Sequence, residues 1–142
     1  MEIYIGGSGQ NKGEIVRLKY DLILGKPQNA PLEDDGALLE FEDIFQVKLV
    51  NHFHLFVRRY LSKLSSESER ELFVKRLVRE NPKIIMIGDE IGCGIVPLSK
   101  EERDYREIYG RLMCYLTKES EKVIRMICGI SQVIKDEKKD ER

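Results

Sequence analysis

Short apolar runs alternate along this chain with longer stretches in which apolar residues recur every three or four positions. The runs at residues 2–5 (EIYI), 83–88 (KIIMIG) and 122–128 (KVIRMIC) read as strands. The unbroken run 83–88, preceded by a helix and followed by glycines, has the mark of a central parallel strand buried on both faces. Asp21-Leu22-Ile23-Leu24-Gly25 reads as a further short strand, ended by its glycine. A helix is predicted from about Lys12 to Tyr20, with Ile15, Val16 and Leu18 toward the sheet. From about residue 42 to 64 the stripe Phe45, Leu49, Phe53, Phe56, Tyr60, Leu64 predicts one long helix. Val50, Val57 and Leu61 widen that stripe, so the helix should be buried on more than one side or dock on another chain. After a break at 65–68, a third helix runs to Glu80 with Leu72, Phe73, Leu77 and Val78 inward, and Asn81-Pro82 stops it. Ser99-Lys100-Glu101-Glu102 is a capping-box pattern opening a helix whose apolar face is Tyr105, Ile108, Tyr109, Leu112, Met113 and Leu116.

The connections are polar. Residues 26–35 read as a solvated loop, with Pro27, Asn29, Pro31 and the acidic Glu33-Asp34-Asp35. Residues 36–39 fit either a short strand or a helix entry. Residues 129–135 read as a connection or a short edge segment, and the wholly charged 136–142 as a frayed tail. Strands alternating with helices predict an α/β fold with a mostly parallel open sheet flanked by helices. The expected organisation is a single domain over 1–135 and a charged tail over 136–142. In such sheets ligands bind beyond the strand C-terminal ends. Two glycine-containing loops, 6–13 and 89–97, fall there and are predicted to converge.

Composition narrows the function classes. The chain has 142 residues, 42% apolar and 35% charged, with a net charge of −1. That balance gives no electrostatic basis for binding nucleic acid or an anionic membrane. No apolar run reaches the ~20 residues a membrane helix needs, and the N-terminal stretch lacks the pattern of a signal peptide. Cys93, Cys114 and Cys128 are too widely spaced for a disulfide framework or a zinc site, so a reducing cytoplasm is the expected compartment.

The candidate chemistry begins at Gly6-Gly7-Ser8-Gly9-Gln10-Asn11-Lys12-Gly13. Strand, glycine-rich turn, lysine and helix is the order of a phosphate-binding loop, in which small residues let backbone N–H groups converge on a phosphate. Gly6 and Lys12 match the pattern G-x-x-x-x-G-K-[ST]; Asn11 stands at the second glycine and Gly13 at the Mg²⁺-binding hydroxyl. An ordinary βα turn of the same composition is the competing reading. Asp89 and Glu90, directly after the central strand, are candidates to hold Mg²⁺ or a water of its shell. His52 and His54 are two apart, so on a helix they point about 200° apart and cannot share a metal. Arg58, one turn beyond His54, makes a His–Arg pair that could hold a phosphate or form a phosphoramidate.

The block Asp89-Glu90-Ile91-Gly92-Cys93-Gly94-Ile95-Val96-Pro97, followed by Arg103-Asp104-Tyr105-Arg106-Glu107 and Gly110, resembles the adenosylcobinamide kinase / adenosylcobinamide-phosphate guanylyltransferase family. That family carries N-E-V-G-x-G-I-V-P, then R-x-F/Y-R-D/E and a glycine. Its opening strand, G-G-x-x-x-G-K and helix are similar to Gly6 through Lys12, and its G-I/L-P…K ending is similar to Gly129-Ile130-Ser131 through Lys135. The resemblance implies a P-loop NTPase-like fold that binds ATP or GTP with Mg²⁺. It implies phosphorylation of a corrinoid, adenosylcobinamide, at its aminopropanol hydroxyl, and GMP transfer through a guanylylated histidine. Carried over by position, Gly6, Gly7, Ser8, Gly9, Gln10, Asn11, Lys12 and Gly13 would cradle the triphosphate. Glu90 would sit beside the metal and the acceptor. His54, in His54-Leu55-Phe56-Val57-Arg58, is similar to the family's H-x-x-x-R spacing and becomes the candidate nucleophile. Asp89 replaces the family's asparagine. A homo-oligomer stays open, and so does a nucleotide- or cobamide-binding protein of the same fold without catalysis.

Overall fold

The structure is a computed structural model that describes residues 1–24 and 34–140. Six strands form one sheet in the order β2-β3-β4-β1-β5-β6. They are β1 (Glu2–Gly6), β2 (Asp34–Asp35), β3 (Leu49–Asn51), β4 (Ile85–Asp89), β5 (Lys122–Ile127) and β6 (Ile130–Asp136). β1 lies between β4 and β5 and is parallel to both; β3 is parallel to β4 and β2 to β3; only β6 runs antiparallel. The helices are α1 (Lys12–Leu24), α2 (Phe53–Arg59), α3 (Glu67–Glu80), α4 (Lys100–Glu119) and the short α5 (Glu137–Asp140). This is a mostly parallel α/β sheet flanked by helices, consistent with a P-loop NTPase-like fold.

The central strands are apolar throughout because both faces are covered. Ile3 and Met86 face a core built with Phe53, Phe56, Phe73, Leu77, Leu112 and their neighbours from α2, α3 and α4. Tyr4, Ile85, Ile87 and Met126 face the other way, onto Val16 of α1. The parallel register places the C-terminal ends of β1 and β4 side by side, with Gly6 opposite Asp89.

Several sequence expectations are corrected here. Residues 42–64 are not one helix. They contain a 3₁₀ turn (Asp43–Phe45), strand β3, helix α2 and a second 3₁₀ turn (Leu61–Lys63). Leu49 and Val50 are buried because β3 enters the sheet, one facing the α1 side and the other the opposite core. A strand buried on both faces therefore produced the apolarity that widened the helical stripe. Phe45, Leu49, Phe53, Phe56 and Leu64 are all buried, which leaves no such stripe free to dock on another chain.

Residues 21–24 continue α1 rather than forming a strand. No helix breaker stands between Gly13 and Gly25, so nothing in the chain ends the helix earlier. Of the predicted 26–35 loop, residues 26–33 lie outside the described residues, and Asp34–Asp35 form β2. Residues 36–39 are a turn, in which the Leu38 and Leu39 N–H groups donate to the Asp35 carbonyl.

Residues 130–136 are a full edge strand. Cys128 and Gly129 both have positive φ (49° and 77°), as a type I′ hairpin turn requires, and so return the chain along β5. The expected frayed tail forms α5 over Glu137–Asp140. A reciprocal capping box opens α3 at Ser66 and Glu69. At α4 only half of the predicted box forms: Ser99 Oγ accepts from the Glu102 N–H, while the Glu102 carboxylate pairs with Arg58.

Candidate active site at the ends of β1, β3 and β4

The loop between β1 and α1 is held from both sides. Gly6 sits so close to β5 that an added Cβ would lie 2.5 Å from the Met126 carbonyl oxygen, so only glycine fits there. The Gly6 carbonyl accepts the Glu90 N–H at 2.9 Å, and Gln10 Oε1 accepts the Cys128 N–H from the β5–β6 turn. Asn11, at the place of the second glycine, has φ 60°. Asparagine tolerates that left-handed region better than most residues, so the departure preserves the backbone path. The Asn11 carbonyl accepts the Ile15 N–H at 3.1 Å, and α1 starts from there.

Lys12 is 7% exposed, and its Nζ donates to the Gly7 carbonyl at 2.6 Å and to Asp89 Oδ1 at 2.8 Å. The predicted convergence of the two loops is therefore observed. Glu90 is the next residue, and Arg125 of β5 grips both of its oxygens, at 2.7 and 3.0 Å. The same pairing raises the Arg125 pKa.

His54 and His52 are brought to this end of the sheet, but in different states. The chain leaves β3 through His52, whose φ of 52° and ψ of 42° make it a left-handed residue before α2. Gly36 packs against that turn; a Cβ there would lie 2.4 Å from the His52 carbonyl oxygen. His52 Nδ1 is 3.0 Å from Asp35 Oδ1. A carboxylate only accepts, so in the neutral ring Nδ1 carries the proton and Nε2 the free lone pair.

His54 is the reverse. Its Nδ1 accepts the Asp89 N–H at 3.1 Å, so in the neutral ring Nε2 carries the proton, 3.7 Å from Asp89 Oδ2. Burial lowers the His54 pKa, against the opposing pull of Asp89. Tyr105 Oη donates to the His54 carbonyl at 2.6 Å, and burial pushes this tyrosine up to about 12, so it stays a donor. The two histidine rings are 6.0 Å apart, edge to face. Asp35 is held below the usual carboxylate range, first by the Ala37 N–H and then by His52.

A cleft of 360 Å³ opens beside the loop, walled by Ser8, His54, Asp89 and Glu90, with Arg58 and Arg106 at its edge. A larger groove of 430 Å³ lies between α3 and α4 around Val74, Val78 and Tyr115; it contains none of these groups.

The sequence-predicted residues Gly6–Gly13, Lys12, Glu90 and His54 thus share one end of the sheet. Asp35, Asn51 and Arg125 join them there. In the sequence Asn51 is masked by the helical spacing of the apolar residues around it, and Arg125 by the apolar strand run that contains it.

Few side-chain oxygens here are open to a resident Mg²⁺. Gly13 has no hydroxyl, both Glu90 oxygens are engaged by Arg125, and one Asp89 oxygen is engaged by Lys12. Among the described residues no three His, Cys, Asp or Glu side chains are grouped to hold a metal ion.

Compared with known proteins, residues 29–134 match the family model described as cobinamide kinase / cobinamide phosphate guanyltransferase. The matched segment includes β3, β4 and α4 but begins after the glycine loop. No curated protein matches the chain. Among the described residues no helix is long and apolar enough to cross a membrane.

Proposed function

The chain belongs to the cobinamide kinase / cobinamide phosphate guanyltransferase family, and from that premise we propose that it transfers a phosphoryl group from ATP or GTP to the hydroxyl of a cobinamide. The observation that carries this reading is the position of Lys12, a buried lysine at a helix start, within 2.8 Å of the carboxylate that ends β4. The triphosphate would lie along the N–H groups of 6–13, and the third N–H of Lys12 would meet a phosphate oxygen while Gly7 and Asp89 hold the other two. Catalysis in phosphoryl transfer is chiefly positioning and charge neutralisation. Lys12 supplies charge inside the loop; Arg58 and Arg106 supply it at the cleft edge.

If a nucleotidyl group passes through a histidine, His52 is the better acceptor. Its Nε2 has the free lone pair and its Nδ1–H is oriented by Asp35, whereas the neutral His54 ring keeps its Nε2 proton. The sequence pointed to His54; the hydrogen bonds favour its neighbour.

A second reading is a binding protein of the same fold without turnover. It is favoured by Gly13, which offers no hydroxyl, and by the Arg125 grip on Glu90. Incubating the full chain with cobinamide and γ-labelled ATP or GTP separates the two. Label on the corrinoid supports the kinase, and binding without transfer supports the second reading. With α-labelled GTP, covalent label that is lost in His52→Asn and kept in His54→Asn supports His52. The opposite pattern restores His54.

A further inference from the structure

Asn51 ends β3 next to the start of α1. Its Oδ1 accepts the His52 N–H at 2.8 Å. That bond fixes the amide orientation, because the oxygen must face the donor and Nδ2 must face away from it. Nδ2 accordingly points to Gly13, 3.4 Å from where a Cβ on that residue would stand. Phosphate loops that use a divalent ion hold it with two side chains, a hydroxyl after the lysine and a carboxylate brought near that hydroxyl from another strand. This chain has a glycine in the first place, and the group nearest to it is the Asn51 amide from the end of β3, while the carboxylate that ends β4, Asp89, meets Lys12 instead. The left-handed turn at His52 aims the His52 N–H, and Gly36, which no larger residue could replace, supports that turn.

We propose that the phosphate site of this chain works without a divalent metal, with the Asn51 amide Nδ2 bonding a phosphate oxygen where a metal-bound hydroxyl would otherwise stand. The inference rests on the phosphate-loop reading above and concerns how the same site is neutralised. Three kinds of donor then face the polyphosphate: the loop N–H groups, Lys12 Nζ and Asn51 Nδ2. A cation near Glu90 would duplicate Arg125, which already meets both oxygens of that carboxylate. An amide N–H bonds an anion directly, but toward a metal ion it has no lone pair to offer.

Equilibrium titration of the full chain with inorganic tripolyphosphate and with GTP, in EDTA and in Mg²⁺ at equal ionic strength, tests this. The expected result is a wild-type Kd that differs by less than fivefold between the two conditions. Asn51→Asp should bind at least tenfold more weakly in EDTA, because a carboxylate then faces the phosphate. Gly13→Ser/Asn51→Asp should bind at least tenfold better in Mg²⁺ than in EDTA. A wild-type chain that binds fivefold or more weakly in EDTA overturns the inference while leaving the phosphate loop intact. No binding in either condition overturns the phosphate-loop reading and the inference with it. The wild-type comparison decides metal dependence even where a variant fails to fold, and a folded Asn51→Asp that binds in EDTA as tightly as the wild type overturns the Asn51 contact.

Discussion

Lys12 Nζ bonds the Gly7 carbonyl at 2.6 Å and Asp89 Oδ1 at 2.8 Å, so one buried cation closes the glycine loop and ties it to the end of β4. Removing the cation leaves a partly buried carboxylate without its partner. Lys12→Met is expected to cost about 1–3 kcal/mol of stability. Adding Asp89→Asn should recover part of that loss, with a coupling of about 1 kcal/mol or more between the two positions. Urea denaturation of the four proteins in the cycle measures it; additive losses would count against the pairing.

His54 gives the fold a pH dependence with a definite sign. Burial, assisted by His52 and Lys12, lowers its pKa in the folded chain, while Asp89 and Asp35 act in the opposite direction. The unfolded chain therefore takes up the proton first, at the ordinary imidazole value of about 6.5. This contribution is fully present above that value. It is lost as the pH falls through it toward the lower folded value. His54→Asn keeps an acceptor for the Asp89 N–H but removes the titration. Its melting temperature should fall less than that of the wild type between pH 7 and pH 5.

Tyr109 Oη is buried and has no hydrogen-bond partner among the described residues. It faces Gly88 of β4, where an added Cβ would lie 2.6 Å from it. Tyr109→Phe removes an unsatisfied polar group and should be neutral or stabilising by up to about 1 kcal/mol. Gly88→Ala should cost about 1–3 kcal/mol through overpacking, and less in the Tyr109→Phe background. Thermal denaturation distinguishes these outcomes.

The two glycines at the head of the loop should behave differently. At Gly6 a Cβ would meet the Met126 backbone at 2.5 Å, whereas at Gly7 it would meet only the flexible Gln10 side chain at 3.7 Å. Gly6→Ala should therefore lower stability by about 1–3 kcal/mol and weaken nucleotide binding. Gly7→Ala should cost clearly less stability. Equal stability losses would contradict this packing of the loop on β5.

The parts of the fold that were legible in the sequence share one property: their patterns come from a single element. The 83–88 run is β4 because an unbroken apolar segment requires cover on both faces, and Ile85, Met86 and Ile87 have it. Residues 42–64 misled because short consecutive elements placed Phe45, Leu49, Phe53 and Phe56 at helical spacing by sequence while separating them in space. The same spacing hid Asn51 and the opposite hydrogen-bonding roles of the two histidine Nδ1 atoms. Their states depend on Asp35 and on the Asp89 N–H, both distant in sequence. The pairing of Lys12 with the 89–97 block was legible because open parallel sheets gather ligands at strand C-terminal ends.

The most direct test of the account is calorimetric titration of ATP and GTP into the wild-type chain and into Lys12→Ala. The account predicts that at least one nucleotide binds the wild type and that Lys12→Ala binds it about ten- to a hundredfold more weakly, a loss of about 1.4–2.8 kcal/mol. Nucleotide binding that survives Lys12→Ala unchanged would contradict it.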